Sequence, residues 1–255
     1  MKEQIRSKIL DYQTEMFKDL AELISVNSVR GEASPEYPYG RESARVLELA
    51  LQQGRRMGFK TDNVDNHAGS IEYGDKAEAI GVLAHLDVVP AGKGWATDPF
   101  ELVIRDGVMY GRGVVDDKGP VISALYGMRV LHDLGLPLKR SIRLIVGTNE
   151  EQGSSCIKYY AEHRPVPLMG FTPDASYPLI YGEKGSLFNK LIFPTETTPI
   201  LELKGGLAFN AVCSECVAKL DGNQVNAQEL RGSILPEDTL GYAADVTQDG
   251  AGNVI

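Results

Sequence analysis

Histidine and cysteine are scarce in this chain of 255 residues: it holds four of the first and three of the second. The cysteines are Cys156, Cys213 and Cys216, and so small and odd a set gives no disulfide framework. Long apolar runs are missing too. None approaches the roughly 20 residues that span a bilayer, so no membrane partner is expected. The opening MKEQIRSKILDYQTEMFKDLAELI carries charge throughout and lacks the apolar stretch of a secretory signal, which makes a cytoplasmic location the expectation. Positive charge is in deficit, with 26 Lys and Arg against 35 Asp and Glu and a formal charge of −9. A nucleic-acid partner would call for a basic patch; an acidic cleft that collects cations is the more natural consequence. No repeat or low-complexity tract is visible. With 43% hydrophobic and 24% charged residues, disorder is excluded, and the length allows one large domain or two small ones.

The apolar residues Ile5, Ile9, Tyr12, Met16, Leu20, Leu23 and Ile24 recur in steps of three and four, which predicts one helix with a single buried face. A second helix is expected over Arg41–Met57, ending before Gly58. Short apolar runs separated by turns follow. Ile80–Ala84 reads as a buried strand, and Leu102–Ile104 with Val108–Tyr110 as a hairpin about Asp106-Gly107. Val121–Leu134 reads as a helix with Pro120 near its first turn and Gly135 at its end. Then come a strand at Ser141–Gly147, a helix at Cys156–His163 and a strand at Leu168–Phe171. Strands alternating with helices indicate an α/β layer architecture. Farther on, Ser186–Phe193 reads as a strand, Pro194–Pro199 as a break and Gly205-Gly206 as the prelude to more strand, so a second domain is expected from near residue 190. Tyr242–Val246 reads as a strand and Gln248–Asn253 as a turn, after which Val254-Ile255 begin a returning arm and stop. Such a hairpin cannot satisfy its own backbone. Either this end frays or, as preferred here, the chain is part of something longer.

Four strand ends run into acidic or imidazole side chains: His85 and Asp87, then Asp116 and Asp117, then Glu150 and Glu151, then Asp174. Open α/β sheets bind ligands beyond the carboxyl ends of their strands. Taken singly, the acids read as a surface turn, a helix N-terminus, a solvated loop or a cap. Taken together, six acids would repel one another strongly unless cations compensate. Imidazole among carboxylates suits zinc or a similar transition ion, whereas magnesium favours oxygen ligands alone. The alternate spacing of His85 and Asp87 sends both side chains to one side of an extended segment, so Asp87 can orient a ligand histidine.

The stretches HLDVVPAGKGW, YGRGVVDDKGP, GTNEEQGS and TPDASYP stand in the order and spacing of the M20 metallopeptidases. The chain resembles above all the bacterial dipeptidases of the PepV and Sapep type, almost from end to end. The resemblance implies an α/β fold: a mixed-sheet zinc-peptidase catalytic domain, incomplete, over residues 1–185, then the start of an α+β lid domain over 186–255. It implies His85 as a ligand of a first metal, Asp87 as the acid that orients it and Asp116 as the carboxylate bridging two metals. Glu150 matches the general base, Glu151 a ligand of the second metal and Asp174 the remaining carboxylate of the first. The ions implied are two Zn²⁺, with Mn²⁺ or Co²⁺ as substitutes, and the partner is a dipeptide or small unblocked peptide. An N-acyl amino-acid amidohydrolase or desuccinylase would use the same chemistry, and a non-catalytic metal-binding fragment is the rival from another class. The family's second-metal histidine and lid histidine have no counterpart among His67, His85, His132 and His163. The resemblance therefore points to the N-terminal portion of a longer protein.

Other features are weaker. Cys213-Ser-Glu-Cys216 has CxxC spacing, but neither a second pair for zinc nor a thioredoxin-like context goes with it. Trp95 and Pro99-Phe100 sit on the loop after His85. Tyr110-Gly-Arg112-Gly113 lacks the ending of a phosphate loop. His67 and His132 are expected to be exposed, and His163 to close a helix, where a cation is favourable. No oligomeric state is legible.

Overall fold

The N-terminal periodicity resolves into two helices in the computed structural model, which describes residues 1–174, 176, 178–185, 187, 189, 191–192, 198–206, 213, 215–233 and 245–255. Helix α1 is Lys2–Asp11 and α2 is Gln13–Ile24. This corrects the expectation of one continuous helix, and the break has a local cause. Tyr12 stands at φ −90°, ψ 0°, with its N–H bonded three residues back to Ile9 O. Its ring packs 5.8 Å from that of Tyr126 and beneath the Arg129 guanidinium, and its hydroxyl donates to Asp133. The fully buried residues are those of α2, Asp19, Leu20, Leu23 and Ile24, while Ile5 and Ile9 of α1 pack half-buried against the same core.

The remaining elements of the first part are α3 (Arg41–Arg56), β1 (Lys60–Val64), β2 (Ala68–Tyr73), β3 (Ala79–His85), β4 (Val103–Arg105), β5 (Val108–Tyr110), α4 (Lys118–Asp133), β6 (Ser141–Gly147), α5 (Ser155–His163) and β7 (Met169–Phe171). Five strands form one sheet in the order β1-β2-β6-β3-β7. The pairs β1–β2 and β2–β6 are antiparallel, while β3 runs parallel to both β6 and β7. The sheet is therefore mixed. The β4–β5 hairpin turns on Asp106 (φ 51°) and Gly107 (φ 77°). Two left-handed residues match the twist of the flanking strands, and glycine adopts that conformation without steric cost.

Alternation along β6 divides the interior. Leu144 and Val146 join the main core, with Leu23 and Ile24 of α2, Leu47 and Leu51 of α3, and Leu125 of α4. Ile145 points the other way and packs with Val64, Ala68 and Tyr160 of α5. The sheet is thus covered on both faces, as parallel pairing generally requires. The parallel register sets His85 opposite Gly147 and Val82 opposite Phe171. Segments leaving the carboxyl ends of β3, β6 and β7 therefore emerge at one end of the sheet.

The chain divides into two compact units, Met1–Tyr181 and Gly182–Ile255. In the second, β8 (Ile200–Gly205) pairs antiparallel with β9 (Cys216–Leu220), and α6 spans Ala227–Ser233. The C-terminal arm is paired. Leu220 and Val254 exchange backbone bonds of 2.7 and 3.0 Å, and Thr247 and Ile255 exchange bonds of 2.7 and 2.9 Å. The strands expected at Ser186–Phe193 and Tyr242–Val246 and the break at Pro194–Pro199 lie largely outside the described residues. Among the described residues no helix is long and apolar enough to cross a membrane.

Candidate metal centre

His85 closes β3 with its side chain only 2% exposed. Its Nδ1 lies 3.0 Å from the Asp87 carbonyl oxygen. A carbonyl only accepts, so Nδ1 carries hydrogen and the state of the ring is decided at Nε2. That atom is buried and faces Asp116 Oδ1 at 3.0 Å, Asp174 Oδ2 at 3.2 Å and Glu150 Oε2 at 3.8 Å, and among the described residues none is aligned for a hydrogen bond with it. One donor atom each from His85, Asp116 and Asp174 fall within 4.8 Å of one another. Burial opposes a charged ring here, but Asp116, Asp174 and Asp87 outweigh it and raise the histidine well above its ordinary range. A site that draws a proton onto a buried imidazole is short of positive charge. One imidazole nitrogen and two carboxylates form a donor set for zinc or another divalent transition ion.

Asp87 is buried, and its carboxylate is committed to backbone. Oδ1 accepts the Glu150 N–H at 2.9 Å and Oδ2 the Glu151 N–H at 3.1 Å, with Oδ1 3.5 Å from His85 Nδ1. One residue thus holds His85 through its carbonyl and the turn after β6 through its carboxylate. Glu150 is raised above the ordinary carboxylate range by burial, reinforced by Asp174, Asp87 and Asp116 and opposed by His85. Glu151 is raised by burial and then by Asp116; its carboxylate lies outside the three-residue cluster. Asp116 is lowered, chiefly through its contact with the His85 ring.

Asp117, one of the strand-end acids, takes a supporting role, and Lys118, Asn149 and Arg30 join it without having been anticipated. Asp117 is fully buried and accepts the backbone N–H of His85 at 3.0 Å. Burial pushes its carboxyl up to about 7, against the pull of His85. Lys118, also fully buried, donates from Nζ to Leu23 O and Val26 O at 2.9 Å each. Burial lowers it to about 7, with Asp87 opposing. Asn149 donates to Ser155 Oγ at 2.9 Å and accepts from Arg30 at 3.1 Å. Chain position gave the only signal for Lys118 and Asn149, which adjoin Asp117 and Glu150, and nothing in the sequence marked Arg30. His67 corrects the expectation of exposure. Its ring stacks 3.7 Å from that of Tyr159, and its Nδ1 lies 3.0 Å from the Tyr39 hydroxyl, which in turn meets Ser155 Oγ at 2.9 Å. Beside Asp116 and Asp174 opens a cavity of about 810 Å³ walled by Phe17, Leu20, Met109, Ile122 and Phe171.

Residues 81–247 match the family described as Peptidase family M20/M25/M40. The chain is 36% identical over 247 residues to YtjP of Bacillus subtilis (strain 168), covering 93% of this chain and 53% of that protein. It is 36% identical over 248 residues to the Beta-Ala-Xaa dipeptidase of Lactobacillus delbrueckii subsp. lactis, covering 94% and 53%. It thus spans about half the length of the curated relatives it matches. Among solved structures, human carnosine dipeptidase 1 is similar at a TM-score of 0.59 and 24% identity, over 69% of this chain and 42% of that one. That likeness is one of fold.

Proposed function

The chain belongs to peptidase family M20/M25/M40, and on that premise we propose that it acts as a metal-dependent dipeptidase, hydrolysing the peptide bond of small unblocked peptides. The observation that carries this reading is the convergence of the buried His85 Nε2 with the carboxylates of Asp116 and Asp174, at 3.0 and 3.2 Å. In the proposal His85, Asp116 and Asp174 hold one divalent ion, and Asp116 with Glu151 contributes to a second. Zn²⁺ is the first choice, with Mn²⁺ or Co²⁺ as substitutes. When bound, such ions supply Lewis acidity, which acidifies water and polarises a peptide carbonyl. Glu150 is the general base: its carboxylate takes a proton from the attacking water and returns it to the leaving amine nitrogen. Burial and the surrounding negative charge favour its protonated form, which suits a group that must hold a proton between two steps. Asp87 positions Glu150 and Glu151 through their amides. The cavity beside Asp116 and Asp174 falls in the size range of small-ligand sites, and its walls suit an apolar substrate side chain. A cytoplasmic setting belongs to the same reading.

The test is hydrolysis of a dipeptide panel by the purified chain with added Zn²⁺ or Mn²⁺, beside Glu150→Gln and with N-acetyl amino acids for comparison. Metal-dependent dipeptide turnover is expected, with kcat reduced by about 10²–10⁴ in Glu150→Gln and metal affinity nearly unchanged. Metal binding without dipeptide turnover would overturn the proposal, and faster cleavage of the N-acetyl compounds would redirect it to an amidohydrolase.

A further inference from the structure

Two sequence features that the metal centre does not use, Gly205-Gly206 and Cys213-x-x-Cys216, meet in the second unit. Antiparallel pairing places Gly205 opposite Cys216. A methyl group at Gly205 would stand 3.0 Å from Cys216 Sγ and 3.2 Å from Cys213 Sγ. Both sulfurs therefore converge on the space that the glycine leaves open, and they lie within about 6 Å of each other. Gly206 stands at φ 74°, a conformation that favours glycine. Both thiols are free and exposed, and Cys213 donates to the Glu215 carbonyl at 3.2 Å. Cys156 differs: it is buried, and burial pushes its thiol up to about 11.

We propose that Cys213 and Cys216 form a dithiol that closes reversibly to an intramolecular disulfide by exchange with low-molecular-weight disulfides. A structural zinc site needs further donors, and among the described residues no His, Cys, Asp or Glu joins the pair to make a group of three. In the first step the thiolate of one cysteine attacks oxidised glutathione. The glutathione S–S bond breaks, a mixed disulfide forms and one glutathione leaves. The thiolate of the other cysteine then attacks the protein-side sulfur of that mixed disulfide and expels the second glutathione. Two electrons pass from the two cysteines to the glutathione disulfide, and the two cysteine protons end on the two released thiols. Ring closure needs sulfurs able to come to about 2.05 Å on Cα atoms roughly 4.4–6.8 Å apart; the glycine side of the ribbon provides the room. Exposed disulfides of this kind are the labile ones, which respond to the surrounding redox poise.

The experiment uses the full chain in buffers of varied oxidised-to-reduced glutathione ratio, with acid quench, alkylation and mass mapping. The expected product is two hydrogens lighter than the reduced chain, links Cys213 to Cys216, reverts with excess reduced glutathione, and leaves Cys156 unmodified until the chain is unfolded. Cys213→Ser should stop at a persistent glutathione adduct on Cys216. Gly205→Val should slow closure at least about tenfold, and Gly205→Ala less, with circular dichroism showing each variant folded. Stable glutathione adducts on the unsubstituted chain would overturn the proposal. So would disulfide-linked dimers, zinc retained by the reduced pair, or closure indifferent to the Gly205 substitutions in folded variants. None of these outcomes depends on peptidase activity, so this inference and the proposed function stand or fall separately.

Discussion

His85 is fixed from three directions before any cation is considered. Asp117 takes its backbone N–H, the Asp87 carbonyl takes Nδ1, and the wall of carboxylates faces Nε2. A ligand whose orientation is set in advance gives up little freedom when it binds. The proposed ligand role predicts that His85→Ala lowers Zn²⁺ affinity at least about 100-fold in a calorimetric titration; an affinity within threefold of the parent would remove His85 from the ligand set. Asp87→Asn asks a subtler question. The asparagine oxygen can still accept one of the two amides of Glu150 and Glu151, but its NH₂ must face the other, donor against donor. Loss of such supporting partners typically costs 10–100-fold in metal affinity or activity. Asp87→Asn is therefore expected to retain more Zn²⁺ affinity than His85→Ala while losing dipeptidase turnover, and the reverse order would assign Asp87 to the ligands.

Among the elements, α2 and α4 are joined at their ends by Lys118. Its ammonium adds a second hydrogen bond to the carbonyls of Leu23 and Val26, at and just beyond the C-terminal end of α2, where the helix dipole favours a cation. Lys118→Met keeps the apolar stem and removes one of the two hydrogen bonds that each carbonyl accepts, leaving the Val26 N–H on Leu23 O and the Ser28 N–H on Val26 O. Hydrogen bonds to charged donors contribute about 1.5–3 kcal/mol each, and burying the ammonium offsets part of that, so a net loss of about 2 kcal/mol in urea unfolding is expected. No loss would mean that the backbone N–H partners of these carbonyls suffice without the ammonium. This contact also shows the limits of what the sequence makes legible. Short apolar runs located β3 and β6, glycine and proline boundaries helped to place α3 and α4, and apolar spacing located α2. The same signal ran through Tyr12, since the break depends on Tyr126, Arg129 and Asp133, more than a hundred residues away. Strands β1 and β2 left no comparable mark: Lys-Thr-Asp-Asn-Val is polar, and Ala-Gly-Ser-Ile-Glu-Tyr is small, held in place by pairing with β6. At the site, acids placed just after apolar strands stood out. Lys118, Asn149, Arg30 and the role of Asp117 did not, because their burial or partners are set by segments distant in the chain.

On the scale of the whole molecule, the two units differ in how firmly they can be held. The first carries the sheet, both hydrophobic clusters and the candidate ligands, while among the described residues the second buries only Ala227 and Val254. A ligand that binds only the folded form stabilises whatever must unfold to release it, by RT ln(1 + [L]/Kd). At a Zn²⁺ concentration of 100 Kd that amounts to about 2.7 kcal/mol, or roughly a hundredfold slowing of amides that exchange through unfolding of the first unit. Hydrogen exchange should therefore slow by about that factor at Leu144 and Val146 when Zn²⁺ is added, and remain unchanged along the β8–β9 ribbon. His85→Ala should abolish the effect. Equal protection in both units would show that they unfold as one cooperative block, and no protection in the first would remove the metal from the folded state altogether.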